Sequence, residues 1–471
     1  MGTVAEPVGG VMSASAPGGC DNPGMFAASS PLPRTAPAGR RALALAAAAL
    51  LLPAADAWAQ PAPGPADETG IPAGADAATE EADGDAGPFP GVRDTSGCPH
   101  RSTPPKAVTT SEAPAPDGAP APLPVPADPV GGPRMAGCGV IAGEGFAVPA
   151  ELDASAWAVV DLGEGTILAA KDPHGRYRPA SVIKVLLAQV ALRELDLDRT
   201  VTATAADEAA EGSRAGLVAG VDYPVRQLLL GLLMNSGNDC GRALERTLGG
   251  SAAALDKVNA LAAELGATDT RVRDVTGLDA AGQSTSAVDL ALFLRAGFAD
   301  DRYRELSATR LTEMPGDGAD LPGFTMSNDN QLLASGFDGA LGGKTGYTDD
   351  ARHTFAGVAE RGGRRLGVVL LDSPAAQARP WQQAAALLEA GFAAPGARVG
   401  DLDERAAAAA PEPDPAARQW ARDHERAREA SAASAADRAG ARAGLIALGI
   451  GAVLGLAGVL TFRAGSRRRR R

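Results

Sequence analysis

The sequence is poor in the residues that bind transition metals, and poor in lysine. Its 471 residues include four histidines and four cysteines, and no His-Glu-x-x-His or Cys-x-x-Cys motif occurs. Neither a structural zinc site nor a zinc-protease site is expected, and no cofactor is predicted. Five lysines stand beside 39 arginines, and the net charge is −13. This negative charge argues against a nucleic-acid partner.

The N-terminal region carries a pattern typical of protein export. Three arginines within residues 34–41 precede an apolar run at 42–52 and an Ala-Trp-Ala tripeptide. A basic flank, a short apolar run and an A-x-A site predict a signal peptide over 1–59, cleaved near Gln60. A methionine after Met1 is an alternative start, and a short buried helix is the alternative interpretation of the run.

The C-terminal region carries a second apolar run. From Ala443 to Phe462 there are twenty residues without a charge, followed by an arginine-rich tail at 463–471. A helix of this length measures ~30 Å, the thickness of a hydrocarbon core. The positive-inside rule then predicts a single-pass plasma-membrane protein with a cytoplasmic C-terminus and an extracytoplasmic remainder. The alternative is a soluble helix with a basic tail.

Two segments of biased composition lie between these runs. Residues 60–137 are rich in proline, alanine and acidic residues and predict a flexible segment, whereas 401–442 predict a partly helical stalk. Export permits disulfides, so Cys98 and Cys138 are candidates to pair; two free thiols are the alternative. Cys240 is then left over and is expected to be buried on a helix.

The remaining segment, 138–400, has the periodicity of a folded domain of α+β class. Short apolar runs at its start and end predict strands, and amphipathic runs between them predict helices. The predicted strands are 157–161, 166–170, 343–345, 354–360 and 365–371, and the predicted helices are 182–195, 225–234, 239–248, 252–265, 287–297 and 379–391. Two early and three late strands suggest one antiparallel sheet covered by helices.

A serine and a lysine three residues apart form the first candidate for chemistry. Ser181 and Lys184 fall at the start of the helix predicted over 182–195, and positions three apart share a helix face. A serine needs a base to become a nucleophile, and a neutral, desolvated lysine is able to supply it. An ordinary N-cap serine beside a surface lysine is the alternative for this motif taken alone.

Two further motifs follow along the chain. Ser236 and Asn238 lie between two predicted helices and offer a hydroxyl for proton relay and an amide for a peptide group. Lys344 and Thr345, followed by Gly346, precede the late strands and offer a cation and a hydroxyl to a substrate carboxylate. Each motif taken alone is also consistent with ordinary turn chemistry.

The three motifs together favour catalysis. Their order, S-x-x-K, S-x-N and K-T-G, is that of penicillin-binding proteins and class A β-lactamases. Two of the five lysines lie inside them, in a chain that otherwise uses arginine. Arginine cannot lose its proton in a protein, so a lysine that acts as a base has no arginine substitute.

Residues 157–392 resemble the serine-type D-Ala-D-Ala carboxypeptidases, and most closely those of mycobacterial type. The resemblance rests on four stretches of sequence: PASVIK at 179–184, LMNSGND at 233–239, TGLD at 276–279 with Ser284-Thr285, and GKTGYT at 343–348. It implies a β-lactamase/DD-peptidase-like fold, with a five-stranded antiparallel sheet packed by helices and a helical subdomain. It also implies that peptidoglycan stem peptides are substrates and that β-lactams are inhibitors.

The same resemblance implies a role for each motif residue. Ser181 attacks the carbonyl between two terminal D-alanines, Lys184 takes its proton, and Ser236 relays a proton to the leaving nitrogen. Asn238 holds the substrate backbone, while Lys344, Thr345 and Gly346 bind its terminal carboxylate. The backbone N–H groups of Ser181 and Tyr347 form the oxyanion hole. Two close lysines also depress each other's pKa, which favours a neutral Lys184.

The sequence departs from the family pattern in three respects and leaves two other functions open. Some members carry a β-rich domain after the catalytic one, where this chain has the predicted stalk at 401–442, and the predicted anchor is a spanning helix instead of an amphipathic one. Where some members carry an arginine after the last strand, this chain reads Asp372-Ser373-Pro374. A serine β-lactamase is one alternative function, although no Glu-x-x-Leu-Asn stretch lies between Ser236 and Lys344. A catalytically silent wall-binding module is the other.

Overall fold

A computed structural model describes residues 91–112, 119–318, 321–404, 415 and 418–434. The predicted signal peptide at 1–59 and the predicted membrane span at 443–462 lie outside these residues. Within them, no helix is long and apolar enough to cross a membrane.

One antiparallel sheet organises the domain. In the described part of the chain it has seven strands, and its central order is β3-β2-β10-β9-β8. The strands of the protein are β1 Val140–Ala142, β2 Ala156–Asp161, β3 Thr166–Lys171, β4 Thr200–Thr202, β5 Asp222–Pro224, β6 Leu311–Met314, β7 Phe324–Ser327, β8 Ala340–Thr348, β9 Arg352–Arg361, β10 Arg364–Ser373 and β11 Gly400–Asp401.

The sheet is assembled from both ends of the domain, as the sequence predicts. The early hairpin β2–β3 lies beside β10, the last of the three long late strands. The resemblance implies five strands, but β1 and β11 also pair with β3 and extend the sheet to seven. These additions are two or three residues long, too short to show a strand period in the sequence. The strands of two separate two-stranded sheets, β4–β5 and β6–β7, are three and four residues long.

Helices cover both faces of the sheet. The labelled helices are α1 Lys184–Glu194, α2 Ala205–Glu208, α3 Val225–Met234, α4 Asn238–Thr247, α5 Ser251–Glu264, α6 Ala287–Ala299, α7 Asp301–Ala308, α8 Gln331–Ala334 and α9 Pro380–Ala393. Of these, α6 lies on one face and α9 on the other, and further helices such as α2 and α5 pack on other helices instead. Alternate residues of β2 enter two different cores: Ala158 and Val160 pack on the side of α1 and α6, whereas Trp157 and Val159 pack on the side of α9. The sequence of a strand that is buried on both faces is a continuous apolar run.

The described residues of the segment predicted to be flexible, 91–112 and 119–137, pack against the domain. The guanidinium of Arg176 is buried and donates hydrogen bonds to the carbonyls of Ser102 and Pro124, at 3.0 and 2.8 Å. Val130 is fully buried in the main core, and a disulfide joins Cys98 to Cys138. Over its described residues, the segment predicted to be flexible or partly extended is therefore irregular chain that is packed on the domain. Within the described residues of the segment, backbone hydrogen bonds between its own residues occur only in isolated turns, and several other carbonyls accept hydrogen bonds from arginine side chains, so the segment shows no helix or strand period.

The segment predicted to be a stalk also packs against the domain. Residues 418–434 are helical, which agrees with a partly helical segment. However, Ala421 is buried, Arg418 pairs with Asp256 at 2.7 Å, and Arg428 donates to Ser251 Oγ at 2.9 Å. Over residues 418–434, the predicted helical segment is therefore docked on the domain through these contacts. An alanine- and arginine-rich composition does not reveal that a helix has a docking partner.

Candidate active site

Ser181 lies on a tight turn beside the edge strand β8. This 3-10 turn, Ala180–Ile183, leads directly into α1, so the serine is at a helix start, as predicted. The preceding Ala180 has a φ of +44°, which is uncommon for a residue with a side chain. The surrounding structure therefore holds the residue before the serine in a strained backbone conformation, as is frequent at functional sites.

A loop containing Thr276 and Gly277 supports this turn from behind. Gly277 has a φ of +85°, and a Cβ atom there would lie 2.0 Å from the Ala180 carbonyl oxygen. Only glycine allows the two backbones to approach so closely. The approach places the Thr276 carbonyl oxygen 2.6 Å from Lys184 Nζ, where it accepts a hydrogen bond.

The amine of Lys184 is positioned to exchange a proton with the serine. Lys184 Nζ lies 2.7 Å from Ser181 Oγ and 3.4 Å from Ser236 Oγ, and the side chain is fully buried. Burial, together with the nearby ammonium of Lys344, holds the pKa of Lys184 well below its usual value. A buried lysine without a carboxylate partner is pushed toward the neutral form, which is the form able to accept a proton.

The second motif forms the loop between α3 and α4. Ser236 is buried and has a φ of +58°, so the turn itself directs its hydroxyl toward Lys184. Asn238 Nδ2 donates to the Glu211 carbonyl at 2.6 Å, which fixes the orientation of the amide. Asn238 Oδ1 is buried and makes no hydrogen bond to any described group. Such an oxygen is available to accept an N–H from an extended peptide.

The third motif lies on β8, the edge strand of the sheet. Lys344 is fully buried, which lowers its pKa, and its Nζ donates to the Thr345 carbonyl at 2.8 Å. Lys344 Nζ also lies 3.4 Å from Thr345 Oγ1, so an ammonium and a hydroxyl stand side by side. This pair of donors matches the two oxygens of a carboxylate.

Gly346 brings β8 into contact with the serine turn. A Cβ atom at Gly346 would lie 2.3 Å from Thr354 Oγ1 and 2.9 Å from the backbone nitrogen of Ser181. Tyr347 follows directly on the same strand, opposite His353 of β9. The two predicted oxyanion donors, the N–H groups of Ser181 and Tyr347, therefore belong to adjoining pieces of chain. The Tyr347 side chain is exposed, and its hydroxyl is 3.1 Å from Asp349.

A buried ionic network behind the site was not expected from the sequence. Asp274 pairs with Arg242 at 2.6 Å and accepts hydrogen bonds from the backbone and hydroxyl of Thr276. Although burial raises the pKa of Asp274, Arg242 and the Thr276 bonds lower it to about 2. Arg242 also pairs with Glu245, which receives Arg428 from the C-terminal helix. These partners orient the carbonyl that contacts Lys184, and no motif indicates them.

The structure brings together the side chains of all three motifs. Ser181, Lys184 and Ser236 form one hydrogen-bonded group. Lys344 is close enough to depress the pKa of Lys184. The predicted leftover thiol, Cys240, lies on α4, fully buried and unpaired.

Comparison with known proteins identifies the family. Residues 144–375 match a family model described as D-alanyl-D-alanine carboxypeptidase. The D-alanyl-D-alanine carboxypeptidase DacB2 of Mycobacterium tuberculosis is 44% identical over 254 residues, which are 53% of this chain and 86% of that protein. The chain belongs to the D-alanyl-D-alanine carboxypeptidase family. It is an enzyme, and the fold predicted from the resemblance is confirmed.

Other members of the family support the same assignment. A D-alanyl-D-alanine carboxypeptidase structure from M. tuberculosis H37Rv has a TM-score of 0.53 and 41% identity, and covers 55% of this chain and 99% of that one. DacD of Escherichia coli is 32% identical, over 49% of this chain and 61% of its own length. The matched region contains all three motifs, whereas segment 91–137 and the helical segment 418–434 lie wholly outside the family model.

Proposed function

We propose that this carboxypeptidase is anchored in the plasma membrane and removes the terminal D-alanine of peptidoglycan stem peptides outside the cytoplasm. The reaction proceeds through an acyl-enzyme on Ser181, and β-lactams acylate the same serine. The observation that carries the proposal is the 2.7 Å contact between Ser181 Oγ and the buried amine of Lys184. It joins a nucleophile to a base whose pKa is depressed.

Acylation begins with substrate binding along β8. The terminal carboxylate binds Lys344 and Thr345, and Asn238 Oδ1 accepts a substrate N–H. Lys184 takes the proton of Ser181 as the oxygen attacks the penultimate carbonyl, and the N–H groups of Ser181 and Tyr347 hold the oxyanion. Each such donor typically contributes ~3 kcal/mol to transition-state stabilisation.

Breakdown of the tetrahedral intermediate releases D-alanine. Ser236 Oγ lies 3.4 Å from Lys184 Nζ and so links the protonated lysine to the leaving nitrogen. The nitrogen receives the proton, the C–N bond breaks, and an ester remains on Ser181. Water then attacks the ester while Lys184 accepts one of its protons. The bond between the carbonyl carbon and Ser181 Oγ breaks, Lys184 returns the proton to Oγ, and the shortened stem peptide leaves, so the enzyme returns to its starting state.

Location outside the cytoplasm rests on three features of the chain. The export pattern at 1–59 and the apolar run at 443–462 predict the same orientation. The Cys98–Cys138 disulfide supports this orientation, because disulfides persist mainly in oxidising compartments. Expression of the full chain followed by membrane fractionation tests the proposal. A variant truncated before Ala443 is expected to leave the membrane fraction, whereas retention would contradict the anchor.

Mass spectrometry of the full chain in detergent tests the chemistry. A stem pentapeptide is expected to lose one alanine, and penicillin is expected to add its mass to the proteolytic fragment that carries Ser181. The variant Ser181→Ala, which differs by one oxygen atom, is the matched control and is expected to show neither result. A pentapeptide that loses no alanine, or a penicillin adduct on a residue other than Ser181, would refute the proposal.

The charge of Lys344 is expected to set the pH range of acylation. Glutamine at 344 removes a cation that depresses the pKa of Lys184, so that pKa rises and less of the base is neutral at pH 7. The acid limb of the penicillin acylation rate is expected to move to higher pH in Lys344→Gln. Lys344→Arg keeps the charge and is expected to keep the limb in place. Stopped-flow rates across the neutral range check this, and identical limbs in all three proteins would contradict it.

A further inference from the structure

An acidic side chain occupies the candidate carboxylate site. Asp329 lies between β7 and α8, and its backbone N–H donates to the Met234 carbonyl at 2.9 Å. Both of its carboxylate oxygens lie 3.1 Å from Thr345 Oγ1, and the residue is exposed to solvent. None of the sequence motifs includes this residue.

The contact uses the hydrogen bond that a substrate needs. A threonine hydroxyl has one proton to donate, and here Thr345 donates it to Asp329. A substrate ending in a carboxylate requires the same proton, together with the neighbouring ammonium of Lys344. Two carboxylates cannot share one donor without repelling each other. Binding therefore requires Asp329 to give up the hydroxyl and turn toward solvent.

Asp329 also balances the positive charge of Lys344. Burial lowers the pKa of Lys344, and the Asp329 carboxylate partly raises it again. A substrate carboxylate on Lys344 would supply the same negative charge. The aspartate thus stands in for the substrate carboxylate when no ligand is bound, and it is able to return to Thr345 as the released D-alanine leaves.

We infer that Asp329 is a specificity-determining residue that competes with the ligand's terminal carboxylate for Thr345 and so weakens the binding of anionic ligands. This inference rests on the proposed function, because it takes Lys344 and Thr345 as the carboxylate site. According to this inference, Asp329 lowers the affinity for a ligand by an amount that depends on the ligand's charge rather than on its size.

Neutral substitutions test the inference. In Asp329→Asn the KM for a D-Ala-D-Ala pentapeptide is expected to fall about fivefold with little change in kcat. The repulsion energy of two unit charges about 4 Å apart in water corresponds to a factor of about five in affinity. Asp329→Ala also removes the side chain and is expected to act in the same direction. The control is Asp349→Asn, which also removes an exposed negative charge of the same region. The Asp349 carboxylate accepts a hydrogen bond from the Tyr347 hydroxyl and makes none with Thr345, so this variant is expected to leave KM unchanged.

A matched pair of β-lactams separates charge from shape. Acylation of Asp329→Asn by benzylpenicillin is expected to be about fivefold faster than in the natural protein, whereas the rate with its uncharged methyl ester stays the same. Equal changes with both ligands, or an unchanged KM for the peptide, would overturn the role of Asp329. If the natural protein reacts with neither the peptide nor penicillin, the proposed function itself fails; the two failures are therefore distinguishable.

Discussion

Replacing Lys184 by arginine is expected to slow penicillin acylation by at least about 1000-fold, within the range attributed to general base catalysis. The amine lies 2.7 Å from Ser181 Oγ and is fully buried, with a pKa well below the usual value. A guanidinium keeps its proton in proteins and therefore cannot accept one from the serine. The rate of labelling with a fluorescent penicillin measures the effect.

A surface lysine offers the matched control for this substitution. Lys257 on α5 pairs with Glu194, and both side chains are partly exposed. Lys257→Arg keeps the charge at that place and is expected to label at the natural rate. A thermal melt of each variant separates loss of the base from loss of the fold. Normal labelling of a folded Lys184→Arg variant would refute the assignment of Lys184 as the base.

Replacing Gly346 by alanine is expected to reduce acylation about 100-fold, the typical cost of displacing reacting groups by about an ångström. The added Cβ would lie 2.3 Å from Thr354 Oγ1 and 2.9 Å from the backbone nitrogen of Ser181. The φ of Gly346 is not positive, so the backbone itself tolerates alanine and the conflict is steric. Relief of the clash moves β8 away from the serine turn and widens the predicted oxyanion hole.

The control for Gly346→Ala is the same substitution in open space. Among the described residues, apart from its two neighbours in the chain, no atom lies within 4 Å of the position that a Cβ would take at Gly396, in the loop after α9, and the φ of Gly396 is not positive. Gly396→Ala is therefore expected to acylate normally and to melt at nearly the natural temperature. An unaltered acylation rate in Gly346→Ala would mean that the contact between β8 and Ser181 is not needed for the chemistry.

Local sequence patterns predicted most of the regular elements. The helix predicted at 225–234 is α3 with the same bounds, and the hairpin predicted around 157–170 is β2–β3. Both predictions depend on the spacing of apolar side chains and on turn residues, which are local features of a few neighbouring positions. The packing of the described residues of segment 91–137 was not predicted, because it depends on arginines far along the chain that donate hydrogen bonds to carbonyl groups of the segment. Nothing in the segment itself reveals those partners.

The candidate site divides in the same way. The sequence by itself determined that a serine and a lysine share one helical turn, because three residues of helix place them on the same face whatever surrounds them. Only the tertiary structure decided what surrounds them. The Thr276 carbonyl on Lys184, the Asp274–Arg242 pair behind it and the Asp329 carboxylate on Thr345 join residues from different elements. Such contacts depend on how the elements pack against one another. The packing of distant elements produces no repeating pattern in the sequence, so the sequence does not predict these contacts.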